Sequence, residues 1–394
     1  MIRCAWLIGV LWVLSACQPV SAVLTSASAK VPERPATPDW KWQLPPGYPE
    51  PAVPADNPMT SAKVALGRHL FYDPRLSANG KMACASCHEQ KRAFSDGKAT
   101  PQGVHGDTLS RNSMALSNVA YAAVLTWANP HLTRLETQML VPLFGETPPE
   151  LGLVGQEAAL LEKLKAVPLY VSLFAQAYPG QAEPFQLKNL TAAIASFERS
   201  LISANSPYDR VVYYKEPLSV AAQRGADLFF SERLECFHCH GGFNFSDATR
   251  HKRTTFAEFS FHNTGLYNLG GSGAYPEPNR GLYELSFAAQ DMGRFKAPSL
   301  RNIAVTGPYM HDGSIETLAD VIEHYAAGGR TLSGGPHAGV GAENPYKSGF
   351  VKGFQLSEQE KANLLAFLNS LTDREFLQNP ALGDPWPLSV RKPE

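Results

Sequence analysis

Cys84-Ala85-Ser86-Cys87-His88 and Cys236-Phe237-His238-Cys239-His240 each set two thiols at C-x-x-C spacing with an imidazole directly after the second. That pattern suits covalent attachment of a c-type haem. The thiols bond the porphyrin vinyl groups and the adjoining histidine ligates iron on one face. A lone C-x-x-C also serves structural zinc or thiol redox chemistry. Two copies, each completed by histidine, in a chain that opens on an export signal favour haem. Cys84, Cys87, Cys236 and Cys239 are therefore expected to hold two c-type haems, with His88 and His240 as axial ligands.

The far face of each iron then decides the chemistry. An open face admits peroxide, whereas a closed one makes the haem an electron relay. Composition alone does not choose among the remaining histidines.

The chain has 394 residues, 44% hydrophobic and 18% charged, enough for two packed domains of about 150 to 200 residues. A net charge of -1 without a basic run argues against nucleic acid as a partner. Met1-Ile2-Arg3, an apolar run from Ala5 to Leu14 and Leu14-Ser15-Ala16-Cys17 read as a secretory signal over 1–17, too short to span a bilayer. Leu-Ser-Ala-Cys also resembles a lipoprotein signal, in which Cys17 would carry a lipid anchor to the membrane. Ordinary cleavage near Ser21-Ala22 is the alternative. Either way the periplasm is the expected location. Cys4 and Cys17 fall in the signal, so no cysteine pair is left for a disulfide.

Residues 18–58, rich in Pro, Ala and Ser, read as a tether. Ser61 to Phe71 reads as a capped amphipathic helix leading to the first motif, and Ser219, Arg224-Gly225 and Leu228-Phe229 echo it before the second. Phe94-Ser95-Asp96 likewise recurs as Phe245-Ser246-Asp247. Leu187, Leu190, Ile194, Phe197 and Leu201 form one helical face, expected to end at Asn205-Ser206-Pro207. Residues 241–294 read as loops around the second haem, and Ser357-x-x-Glu360 as a capping box opening a helix with Leu364, Leu365, Leu368 and Leu371 inward. The expected fold is mostly α, with two tandem cytochrome c-like domains at 59–206 and 207–394, joined by long connecting loops.

Leu66-Gly67-Arg68-x-Leu70-Phe71-x-Asp73-Pro74-Arg75-Leu76-Ser77-x-Asn79-Gly80 before the first motif resembles the bacterial dihaem cytochrome c peroxidase and MauG superfamily. So do Pro298-Ser299-Leu300-Arg301-Asn302 and Pro308-Tyr309-Met310-His311-Asp312-Gly313-Ser314. Ser113 to Tyr121, with Leu125-Thr126-Trp127-Ala128-Asn129-Pro130, is most similar to the MbnH-like branch. The resemblance implies several roles. Trp127 lies where the family keeps a tryptophan between the haems, able to carry a hole. Gln138, Pro142 and Glu150 follow at the family's spacing, with Glu150 as distal acid–base group and Glu146 as its competitor. Val104 stands at the position of the histidine that caps the first iron in classical dihaem peroxidases, and a shift of one residue would put His105 there. Tyr325 takes the place of the second iron's distal ligand, methionine in classical peroxidases and tyrosine in MauG. His324, Met310 and Met292 are alternatives. Asn112, Thr306 and Pro308 sit where the family binds calcium between domains.

The function so implied is a peroxide-dependent dihaem oxidase. It would share a high-valent state between its haems and oxidise a tryptophan on a partner protein by long-range electron transfer. A cytochrome c peroxidase fed by a small redox protein is the alternative, and a non-enzymatic dihaem electron-transfer protein or haem sensor the third reading.

Overall fold

The computed structural model describes residues 39–387. The signal, Cys17 and residues 18–38 of the expected tether lie outside the described residues. Helices and loops dominate. The N-terminal half carries α1 (Ser61–Phe71), α2 (Leu135–Gln138), α3 (Leu140–Phe144), α4 (Glu157–Lys165), α5 (Pro168–Ala177) and α6 (Leu187–Arg199). There follow α7 (Pro207–Tyr214), α8 (Val220–Phe229), α9 (Phe237–His240), α10 (Tyr283–Ser286), α11 (Leu318–Ala326), α12 (Glu358–Asn369) and α13 (Arg374–Gln378). The strands are two-residue pairs: β1 (Phe261–His262) with β2 (Phe295–Lys296), and β3 (Thr331–Leu332) with β4 (Gly339–Val340), both antiparallel.

One packing device occurs twice. A Cβ on Gly67 of α1 would lie 1.9 Å from Ala193 O of α6, and a Cβ on Gly225 of α8 would lie 1.9 Å from Asn363 O of α12. Each helix before a C-x-x-C-H motif thus crosses a later helix backbone to backbone, which only glycine permits. The turn after the later helix repeats too. Asn118 accepts from Ser203 N through Oδ1 (2.7 Å), and Asn302 from Asp373 N (2.7 Å), both with left-handed backbone (φ 59° and 60°). The repeat visible in Phe-Ser-Asp therefore extends to the helix crossings and the turns that close them.

Two apolar cores form around these crossings. The first gathers Leu66, Leu70, Phe71, Leu190, Ile194 and Phe197 among others. The second gathers Phe229, Phe245, Ile322, Leu364, Phe367 and Leu368. Leu371 is buried in the second core as expected, while Leu365 is only partly buried against it.

Two expectations need correction. Residues 39–58 pack on the body instead of forming a free tether. Tyr48 is buried against Tyr121 and Phe243, its hydroxyl accepts from Asn118 Nδ2 (2.9 Å), and Asn57 donates to Ala192 O (2.9 Å). Proline-rich composition hid a segment held by aromatic burial, which outweighs its lack of periodicity. Second, α6 ends at Arg199, not at Asn205-Ser206-Pro207. Ser206 instead opens α7 as a capping box with Asp209, and Pro207 occupies its first turn.

Candidate haem and peroxide site

Cys84 to Ser86 form a tight 3-10 turn, and Cys236 directly precedes α9. Local turns of this kind bring both thiols of each motif to one side. His88 Nδ1 lies 2.7 Å from Phe94 O, and His240 Nδ1 lies 3.1 Å from Phe245 O. A carbonyl only accepts, so Nδ1 carries the proton in both rings and Nε2 keeps its lone pair for a metal. Phe94 and Phe245 sit at φ 63° and 51°, which turns these carbonyls back toward the histidines. Burial lowers the pKa of both rings and keeps them neutral, the form that ligates iron. Oriented neutral imidazoles beside paired thiols fit c-type haem at both motifs.

Around the first motif, Glu150 is half-buried and its carboxyl is raised by burial, whereas Glu146 is exposed. Glu150 acts electrostatically on both Cys84 and Cys87. Its carbonyl accepts from Val104 N at 2.8 Å. In that loop Val104 is buried and His105 exposed. The side chain facing inward beside Glu150 is therefore aliphatic and offers iron nothing.

Cys236, Cys239, His240 and Tyr325 line one cavity, whose empty space is about 1590 Å³ counting its open mouth. Burial raises the Tyr325 phenol, and the two cysteine sulfurs act on it. Met310 lines the same cavity, while His324 is buried behind Tyr325 and does not line it, nor does Met292. Trp127 also forms part of the wall. Its indole N–H donates to Asn112 O (2.8 Å), and its carbonyl accepts from Lys296 N (2.8 Å). Gln138 lines a neighbouring void, separated from the larger cavity by Met114, Ala115, Lys296 and Pro298, which border both. Trp127, Tyr325 and His240 are thus brought together, and Gln138 stands on the other side of that partition.

Asn112, Thr306 and Pro308 also meet at this cavity. Asn112 Nδ2 donates to Lys98 O (2.8 Å), with longer contacts to Ala99 O (3.3 Å) and Pro308 O (3.4 Å). The amide thus turns its nitrogen toward carbonyls that a calcium ion would need for itself. The gathering fits; the orientation does not.

At the second site His262 and Lys296 carry no role read from the sequence, and His311 belongs to the Pro308 to Ser314 stretch without being expected to ligate iron. His262 Nε2 lies 2.6 Å from Asp247 Oδ2. Burial lowers this ring's pKa, but Asp247 and the Cys239 sulfur outweigh it and lift it to about 10. The sulfur's share lapses once it is a thioether. Lys296, buried between the two cavities, is lowered to about 8 by burial against the pull of Asp247. His311 stacks on Phe295 (centroids 3.7 Å apart, 12°) with Nε2 unpartnered. The Phe-Ser-Asp repeat marked Asp247, but nothing local marks His262 or Lys296 as its neighbours.

Residues 61–216 match the family described as di-haem cytochrome c peroxidase. The methylamine utilization protein MauG of Methylorubrum extorquens is 33% identical over 369 residues, 91% of this chain and 93% of its own length. The chain belongs to the dihaem cytochrome c peroxidase and MauG family. The cytochrome-c peroxidase IdrP1 of Denitromonas iodatirespirans is 35% identical, covering 94% of this chain and 97% of that protein. The crystal structure of a MauG-like protein associated with microbial copper homeostasis superposes with a TM-score of 0.87 at 47% identity, over 88% of this chain and all of that one. The resemblance read from Ser113 to Pro130 therefore holds at the level of MauG-like relatives. Membership of this family makes the protein a haem oxidoreductase of the peroxidase type.

Proposed function

We propose that this protein is a peroxide-dependent oxidase that withdraws electrons from a tryptophan on a partner protein. The observation that carries the reading is the phenol of Tyr325, where a thioether would be needed for a conventional electron-accepting haem, in the cavity of Cys236, Cys239 and His240. A phenolate favours ferric and higher states, whereas a thioether favours Fe(II) and a high potential. We place one haem at Cys84, Cys87 and His88 within residues 59–206, and one at Cys236, Cys239, His240 and Tyr325 within 207–394. When bound, these groups would supply redox-active iron, and Val104, at the position of the capping histidine in classical peroxidases, offers no side-chain donor to the first.

The chain's own residues then manage protons and electron routing. Glu150, half-buried with a raised pKa, takes a proton from incoming peroxide and returns it to the departing oxygen. Gln138 orients the peroxide by hydrogen bonding. Trp127 divides one long electron transfer between the sites into two shorter steps. In sum, peroxide accepts two electrons and two protons to give two waters, and the partner's tryptophan supplies the electrons. Asn112, Thr306 and Pro308 would hold calcium only after the Asn112 amide reverses. Export to the periplasm, with Cys17 as a lipid anchor, belongs to the same reading.

A second reading, peroxide scavenging fed by a small redox protein, is favoured by the similarity to IdrP1. Electron paramagnetic resonance of the ferric protein, before and after one equivalent of peroxide, separates the two. The oxidase reading expects one high-spin iron, a second iron without a sulfur ligand, and a joint response to peroxide. In Tyr325→Met the second iron's potential rises and it accepts electrons from a reduced small cytochrome. An unchanged spectrum and potential in that variant would sink the ligand assignment.

A further inference from the structure

Glu198, next to the last residue of α6, is only 7% exposed, and its Oε2 has no hydrogen-bond partner. No role described above uses it. It faces the first C-x-x-C-H motif: of the charged groups acting on the Cys84 sulfur, Glu198 acts most strongly. A carboxyl buried without a full set of partners is costly. A site that retains one invites a functional explanation.

Its surroundings form a polar strip that reaches water. Arg199, on the same helix, is bonded to Glu136 of α2 (2.9 Å), and Glu136 also accepts from Asn57 (2.8 Å). Lys63 of α1 donates to Asn57 Oδ1 (3.1 Å). Arg134 lies 3.7 Å from Glu136 and 2.8 Å from Asp56, whose side chain is 68% exposed. Arg250 faces Arg199, Glu136 and Arg134 from the second half of the chain. Along this strip Glu198 Oε2, Arg199 Nη1, Glu136 Oε2 and Arg250 Nε are all buried without a hydrogen-bond partner. Unpartnered buried polar atoms are where ordered water sits, and water between carboxyls carries protons.

We propose that Glu198 is the redox-linked proton site of the first haem, exchanging its proton with solvent through the strip of Arg199, Glu136, Arg134 and Asp56. This rests on haem being attached at Cys84 and Cys87. With haem bound at Cys84 and Cys87, withdrawal of one electron by a chemical mediator would be matched by release of one proton from Glu198 to water. On reduction the electron and the proton both return, so the charge of this buried region stays constant in each direction. Without that compensation, a charge would be created in a region of low dielectric. Burial pushes the Glu198 carboxyl up to about 8 against the pull of Arg199, so it holds its proton at neutral pH. Glu150, Asp96 and Lys98 are the other charged groups acting on this motif, through Cys87.

The test is a spectroelectrochemical titration of the first haem in the full dihaem protein across pH. In the parent protein the potential falls as pH rises, approaching a tenfold change in the iron equilibrium per pH unit, about 59 mV. Glu198→Gln flattens this slope, Glu198→Asp keeps part of it, and Glu150→Gln leaves it in place. An unchanged slope in Glu198→Gln, or its loss in Glu150→Gln alone, overturns the proposal. Haem content from the absorbance spectrum is read on every sample. Failure of haem attachment at Cys84 and Cys87 would contradict the premise, and is distinguishable from a slope that ignores Glu198.

Discussion

At the scale of single residues, legibility in the sequence followed the locality of the chemistry. Covalent haem attachment needs its thiols and imidazole in one short run, so Cys84 to His88 and Cys236 to His240 stand out unaided. The contrast between Glu150 and Glu146, or between Val104 and His105, is a matter of which side chain is buried, and only packing supplies it. Glu198 carried no signal, since it reads as the polar end of an amphipathic helix. Its burial makes a further prediction, for stability. The unfolded chain gives up this proton near 4.5, the folded one near 8. Between those values the folded state binds more protons, so this group's contribution to stability falls as pH rises, by up to ~1.4 kcal/mol per unit. Urea midpoints of the reduced protein should therefore show Glu198→Gln gaining on the parent between about pH 5 and pH 8. Parallel curves would mean that Glu198 is solvated.

At the scale of elements, periodicity found α1, α6 and α12, because an apolar stripe is a property of the helix itself. It did not find the crossings of α1 with α6 and of α8 with α12, which depend on two glycines meeting carbonyls distant in sequence. Nor did it place the end of α6, because Ser206-Pro207 reads equally well as the stop of one helix or the start of the next. The crossings predict an asymmetry between similar substitutions. Gly67→Ala and Gly225→Ala would each force a methyl to within 1.9 Å of a backbone oxygen, prising a helix pair apart at a cost of ~2 kcal/mol or more. Gly80→Ala meets nothing within 4 Å, but its φ of 67° adds strain of ~1 kcal/mol. Thermal unfolding of the three variants should place Gly67→Ala and Gly225→Ala well below Gly80→Ala. Equal losses would show that the helix pairs give way easily.

At the scale of the whole molecule, the chain comes back after the second core to pack on the first. After α12 it passes Asp373, whose carboxylate accepts from Ala204 N (3.0 Å) and Asn205 N (2.9 Å) in the link between the halves. It then lays Phe376 and Trp386 into the first core. Arg68 donates to Gly383 O (2.6 Å), Tyr72 to Leu382 O (2.8 Å) and Gln90 to Asn379 O (2.9 Å), so α1 and the segment after His88 hold this returning strap. Trp386 itself donates to His69 O (3.0 Å), stands 5.8 Å from Tyr170 and lies under the Arg75 guanidinium at 5.4 Å. Removing that indole vacates a buried site between α1 and α5, and Trp386→Ala should cost ~3–5 kcal/mol. The loss should fall on the first core and spare the second, because Trp386 is a member of the former. Denaturation followed separately at the two haem absorbance bands provides the reading. Earlier melting at the first haem, with the second unmoved, is the expected result. Simultaneous loss at both would mean that the Asp373 link couples the two cores more tightly than the strap distinguishes them.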